Sequence, residues 1–309
     1  MKYNIENIVR DNKVFIVGTL DSYELSEHQD LNGSPVPHIR GKVVVVSNIA
    51  NGEPYTYTLN VFQYKNNTKG TVNRGYTQLK DVLDGVVEIG TRVRVSAGFT
   101  MVKFKDDGRD ELVEANRLSL RFISPATVKD TDDVASFEIG GFVYQGLTDK
   151  TNQEGDVYLK ELQIMQTNYA TSADKVRPVL LKVHVAVDDF QIASAIEGAY
   201  VRGATIKVTG NLEFIQTEYT KTEEVMFGAP SERTYYTTQK VVRVTGGSSI
   251  YTEPGKAYTS DDMRFLMDKY QADSDEIMSG TSNQPAATGS AKTSTPTSNE
   301  TMFLFPQGK

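Results

Sequence analysis

Up to about residue 250 the chain alternates apolar and polar positions with a period of two, the pattern of strands that bury one face. In the first half the runs are VFIVGTL (14–20), HIRGKVVVVSN (38–48), YTYTLNVFQY (55–64), GTRVRVSAGF (90–99) and NRLSLRFIS (116–124). Between the third and fourth runs the period changes, and YTQLKDVLDGV (76–86) spaces its apolar residues as a short helix does. The second half repeats this order. SFEIGGFV (136–143), DVYLKELQIMQ (156–166) and PVLLKVHVAV (178–187) are strand-like, DFQIASAIEGAY (189–200) is helical, and GATIKVTGNL (203–212) and QKVVRVTGG (239–247) are strand-like again. Val93-Arg94-Val95-Ser96 matches Ile206-Lys207-Val208-Thr209 in kind, behind Gly90 and Gly203, and Gly18 is matched by Gly141. Repetition of order and of residue kind marks a duplicated structural unit.

Three strands, a helix and two strands, twice over, predict an all-β chain with short helices. A sandwich of the immunoglobulin type has no helix at that point, whereas a five-stranded Greek-key barrel with a helix between its third and fourth strands is the OB-fold. The order resembles the latter: two tandem OB-fold barrels, at 1–125 and 135–252, joined by a linker at 126–134. A length of 309 residues accommodates two domains of about 100–150 residues each. The segment 253–278 reads as one amphipathic helix, with Met263, Leu266, Met267 and Tyr270 on one face, Ser260 placed to cap it, and Asp261 and Asp262 in its first turn. From 279 to 299 the chain is almost entirely Ser, Thr, Ala, Asn, Gly and Pro, too poor in bulky apolar residues to offset the entropy of ordering. A flexible tail at 279–309 is expected, ending in an apolar tip: Met302, Phe303, Leu304, Phe305 and Pro306.

Composition narrows the chemistry. Cysteine is absent, so disulfides, thiolate zinc sites and thiol nucleophiles are excluded. No run of about 20 apolar residues and no charged-apolar leader is visible, which implies a cytoplasmic protein in whatever cell makes it, with no membrane partner. There is no phosphate-binding Gly loop, no His-Glu-x-x-His and no Gly-x-Ser-x-Gly, and the three histidines, His28, His38 and His184, stand in unrelated stretches. The expectation is a protein that is not an enzyme and uses neither cofactor nor metal. Net charge is −7, but the span 260–280 holds six acids against two bases, so more than half of the excess lies outside the barrels.

Duplicated barrels followed by a low-complexity tether and a sticky tip resemble the tandem-OB single-stranded DNA-binding proteins of bacteriophages. The tail is similar in plan to that of the bacterial proteins of the same function, although their tip is acidic and ends on Pro-Phe, while here Phe305-Pro306 is followed by Gln307, Gly308 and Lys309. The resemblance implies a protein that coats single-stranded DNA during phage replication or recombination and recruits replication or recombination proteins through the tip; a homo-oligomer is compatible with it.

Such binding needs cations along the phosphates and aromatic faces for the bases. Arg40 and Lys42 share one side of the second run, and Phe62 and Tyr64 lie opposite Leu59 and Val61 in the third, hence outward if the latter fill a barrel. Arg92 and Arg94 in one half and Lys207 in the other alternate with core-type residues, and Lys182 lies in the second half's third run. The hairpin after the first half's fourth strand carries Lys103, Phe104 and Lys105; the insertion at 216–234 carries Tyr219 and Lys221, with Tyr235 just beyond it. Plainer readings stand beside these: Phe62 and Tyr64 could pack on the 76–86 helix or the other barrel, the basic strand residues could be solvated, and His184 could be a polar neighbour. The alternative function is a non-catalytic virion or tail component built from duplicated barrels. Only a phosphate-binding face would lose affinity steeply with salt.

Overall fold

The computed structural model describes residues 7–280 apart from 32, 51–52, 68, 107–109, 152–154, 169–174 and 224–230; at 49–50, 53, 215–223 and 231–239 it describes the backbone alone. The first half contains β1 (Asn12–His28), β2 (His38–Ala50), β3 (Glu53–Tyr64), α1 (Arg74–Leu83), β4 (Arg92–Asp106) and β5 (Glu111–Pro125). The second contains β6 (Val134–Thr151), β7 (Val157–Thr167), β8 (Pro178–Ala186), α2 (Phe190–Ala199), β9 (Thr205–Glu223) and β10 (Ser231–Gly247), and α3 (Ser260–Met278) follows. No described helix is long and apolar enough to cross a membrane.

Each half closes on itself in the same way. β1 pairs antiparallel with both β2 and β4, β4 pairs with β5, and β5 meets β3 in a parallel bridge between Asn60 and Ser119. β6 pairs with both β7 and β9, β9 with β10, and β10 meets β8 through Arg243 and His184. These are two OB-fold barrels. The glycines at the matched positions explain how one strand serves two neighbours: a Cβ on Gly18 would collide with the Val46 carbonyl, and one on Gly141 with the Met165 carbonyl. Both sit where the strand leaves one partner for the other, and close backbone approach there requires a residue without a side chain. Gly90 and Gly203 both hold φ at +87°, the left-handed turn that starts strand four in each half.

The register repeats as well. Gly18 faces Val93 as Gly141 faces Ile206, and Ala97 faces Leu120 as Gly210 faces Val244. Inward residues of both barrels, among them Ile16, Val43, Leu59, Val95, Ile164, Val183 and Val208, are fully buried in one continuous core. The barrels join through antiparallel pairing of β1 with β6, Asn12–Val17 against 134–139, so all ten strands form one sheet.

Two crossed arms reinforce the joint. From the first half, Met101 on β4 and Asn116 on β5 face each other and reach β8: the Leu180 amide donates to the Met101 sulfur at 3.5 Å, and Asn116 donates to the Leu180 carbonyl at 3.0 Å while accepting from the Lys182 amide at 3.3 Å. From the second half, the facing pair Phe214 and Lys240 reaches β3: Phe214 stacks on Tyr55 at 4.5 Å, and Lys240 Nζ donates to the Thr56 carbonyl at 3.4 Å. Thr56 pairs with Val46 as Leu180 pairs with Met165, so the arms are related by an approximate two-fold.

α3 breaks that symmetry. It starts from a Thr259 capping box with Asp262 rather than from Ser260, because the Thr259 hydroxyl and the Asp262 carboxylate answer each other's backbone N–H. Leu266 and Tyr270 pack in one apolar cluster with Phe142, Met165, Val176 and Leu180. The insertion expected at 216–234 lies in an extension of the β9–β10 hairpin, paired from Val208–Gly247 out to Glu223–Ser231.

Candidate nucleic-acid interface

Register builds the open face of the first barrel. Three rows cross β1, β2 and β3 side by side: Glu24, Lys42 and Asn60; Ser26, Arg40 and Phe62; His28, His38 and Tyr64. Residues two apart share a face, so the three rows present their side chains together. Leu59 and Val61 point into the barrel at 0% and 4% exposure, while Phe62 and Tyr64 point out at 44% and 42%.

The rings form a connected cluster. His28 stacks on His38 at 5.2 Å and 17°, His38 lies 5.1 Å from Phe62, and Phe62 meets Tyr64 edge-on at 5.0 Å and 89°. The expectation that the histidines stand in unrelated settings is corrected here for His28 and His38, because the turn between β1 and β2 makes them cross-strand partners. Arg40 Nε donates to His28 Nε2 at 2.9 Å, which requires that nitrogen to be an acceptor. Desolvation, with the Arg40 guanidinium and the His38 ring beside it, holds the His28 imidazole below its usual pKa, in keeping with a neutral ring. His38 donates from Nδ1 to the Val36 carbonyl at 2.9 Å, and its buried Nε2 has no hydrogen-bond partner among the described residues. The result is a half-exposed aromatic platform edged by the guanidinium of Arg40.

The other residues singled out from the sequence fall in several places. Arg92 is a tie, not an open cation: it donates to the Asp130 and Thr131 carbonyls at 3.0 and 3.1 Å and pairs with Asp133 at 2.6 Å, pinning the linker. Arg94 lies over the Phe15 ring at 5.0 Å with Asp130 at 3.9 Å. Lys207 is 3.7 Å from Glu138. Lys103 is removed from any outer face: its side chain is 5% exposed, and its ammonium lies 3.3 Å from the Tyr270 ring centre and donates to Ser274 at 2.7 Å. Burial beneath α3 pushes its pKa down. Lys105, beside the half-buried Phe104, pairs with Asp110 at 2.6 Å and reaches the Met278 carbonyl. Lys182 faces Gln163 across β7–β8, half-buried.

Tyr219 and Tyr235 are cross-strand partners on the β9–β10 hairpin, and Lys221 faces Arg233; their side chains lie outside the described residues. So do Met302 to Pro306 and the rest of the tail. His184, expected as a polar neighbour, is fully buried, accepting at Nδ1 from the Val242 amide at 3.3 Å with Glu161 3.9 Å from Nε2. Among the described residues no group of three or more His, Asp or Glu is placed to hold a metal ion.

One residue the sequence did not single out lies half-buried where the β9–β10 arm meets β3. Lys240 sits 5.1 Å from the Phe214 ring centre with its ammonium at the Thr56 carbonyl, and burial pushes its pKa down to about 7. Its sequence context, QKVVRV, is that of an ordinary outward strand lysine.

The YorF family model matches residues 10–280. No curated protein matches the chain. Among solved structures the chain is similar to the wild-type single-stranded DNA binding protein from Thermus aquaticus, at 13% identity and a TM-score of 0.45, over 80% of this chain and 96% of that one. A deletion mutant of the same Thermus protein gives 12% identity and 0.44, over 79% and 97%. The mitochondrial single-stranded DNA binding protein Rim1 from S. cerevisiae gives 22% and 0.26, over 38% and 96%.

Proposed function

The chain belongs to the YorF family, and from that footing we propose that it is a non-catalytic single-stranded DNA-binding protein. The observation that carries the proposal is the open β1–β2–β3 face, where Phe62 and Tyr64 stand half-exposed over His38 with Arg40 in the row of Phe62 and Lys42 in the next. Exposed rings on a rigid strand surface lose area to water unless something covers them, and bases stack on them for about 1–3 kcal/mol each. The cations beside them follow a phosphate backbone without reading sequence. A cytoplasmic protein that coats single strands during phage replication or recombination, with its tail tip recruiting other replication proteins, is the biological setting this reading favours.

The test is fluorescence anisotropy of labelled poly-dT titrated with the protein at several salt concentrations, with duplex of equal length as competitor. Preference for the single strand and a log–log salt slope of about −0.7 per phosphate neutralised are expected. Absence of binding at low salt would overturn the reading and favour a structural barrel protein of a virion or tail.

A further inference from the structure

Resting on that reading, we infer that the bound strand does not end at Tyr64 but crosses the start of α1 to a second stacking station, where Phe122 of β5 takes a base and Arg74 the phosphate between the two stations. The backbone brings the three residues together. Asn66 and Val72 form an antiparallel bridge after β3, and the Asn73 amide donates to the Lys65 carbonyl at 2.7 Å, so the next pair in that register is Tyr64 with Arg74. Arg74 then opens α1, its guanidinium 5.7 Å from the centre of the Phe122 ring. On the sheet, β3 and β5 run parallel at the bridge of Asn60 with Ser119, and three residues on they reach Gln63 and Phe122. Side chains tie that level together: Asn73 donates to the Gln63 side chain at 3.2 Å, and Gln63 donates to the Leu120 carbonyl at 3.1 Å. A Cβ on Gly75 would lie 2.6 Å from the Arg121 carbonyl, so the first turn of α1 is pressed onto β5.

Both side chains are open. Phe122 is 41% exposed, close to the values for Phe62 and Tyr64, and Arg74 is exposed. At 5.7 Å the guanidinium stands near the outer limit, about 6 Å, of attraction to a ring face. Among the described residues no carboxylate holds it, so it turns to a phosphate without breaking an ion pair. The duplicated half shows that the fold needs neither residue. Ser96 faces Phe122 as Thr209 faces Gly246, and where Arg74 opens α1, Phe190 opens α2. There a cavity of about 290 Å³ lies between α2 and Gly246, lined by Ile192 and Ile196, and the barrel closes all the same. Phe62 is likewise matched by Ala186. A ring that packing does not require, left two-fifths exposed beside a cation, is what a base-stacking surface consists of.

Two measurements test this. In the anisotropy assay Phe122→Ala should weaken poly-dT binding about 5- to 150-fold, the loss of one stacked base. Arg74→Gln should flatten the log–log salt slope by about 0.7, and Arg74→Lys should keep it. Each variant should melt as the wild type does, because ring and guanidinium are both exposed. Independently, poly-dT with iodouracil in place of some thymines, irradiated on the wild-type chain and mapped by mass spectrometry, should crosslink at Phe122 as well as at Phe62 or Tyr64; that readout needs no variant and decides the matter if one fails to fold. If the wild-type chain binds and Phe62→Ala/Tyr64→Ala weakens it, yet Phe122→Ala and Arg74→Gln leave affinity and slope unchanged, or the crosslinks stop at Tyr64, the second station is refuted while the function stands. If the Phe62 and Tyr64 pair proves neutral, the second station falls with the platform it continues; if the wild-type chain does not bind, both readings fall.

Discussion

Replacing Phe62 and Tyr64 together by alanine separates recognition from stability. In a duplex-free assay each lost stacking partner is worth about 1–3 kcal/mol, so two independent platforms would cost about 2–6 kcal/mol. The rings touch edge-on at 5.0 Å and share His38 beneath them, so their contributions overlap and the lower half of that range is expected. About 2–4 kcal/mol is roughly 30- to 1,000-fold in affinity. Stability should change far less, because both rings are already more than two-fifths exposed and neither belongs to the barrel core. A loss of about 1 kcal/mol would lower Tm by about 2–4 °C in a domain of this size. The assays are anisotropy with poly-dT and thermal unfolding by circular dichroism. Affinity within two-fold of wild type, with normal melting, would show that the bases do not stack there.

Two further outcomes follow from the buried groups. Leu266→Ala removes a fully buried side chain that fastens α3 to Phe142, Met165 and Leu180, and should cost about 2–5 kcal/mol in chemical unfolding while leaving poly-dT affinity within two-fold. His184 makes stability fall on acidification: burial lowers its pKa from 6.5 to about 4, so between those values the unfolded chain binds a proton that the folded chain refuses. Stability should therefore drop by about 1.4 kcal/mol per pH unit from that group, about 3 kcal/mol in all, and the difference between wild type and His184→Gln in urea unfolding should track that window.

The order of elements was legible because it rests on local periodicity, and the matched glycines were legible because close approach and a positive φ leave few alternatives. The outward aim of Phe62 and Tyr64 followed from alternation against Leu59 and Val61 alone. What alternation could not supply was partnership. His28 and His38 become neighbours through the register of β1 on β2, and nothing in either stretch announces the other. Lys103 and Arg92 have the sequence context of solvated strand cations, yet α3 covers one and the linker claims the other, and both contacts span long separations along the chain. Thr259 took the cap that Ser260 was given because a capping box needs an acid three residues on, and Asp262 answers Thr259.

The acidic balance of the chain also looks different once α3 is in place. Its Asp261, Asp262, Asp268, Asp273, Asp275 and Glu276 belong to the helix that covers the second half's face, not to the β2–β3 face of the first. Nonspecific attraction to a phosphate chain is set by the local field, which is screened over about 8–10 Å at ordinary salt. A negative cover on one face and Arg40 and Lys42 on the other therefore do not cancel. They polarise the molecule, so that under the proposed function repulsion from the closed side and attraction to the open side would steer a strand to the same place. The duplicated halves thus differ in two linked ways: the half that lost its rings also gained the acidic helix. Steering of that kind gives a falling association rate with rising salt rather than a change in dissociation alone, as a phosphate chain drawn to one charged face requires.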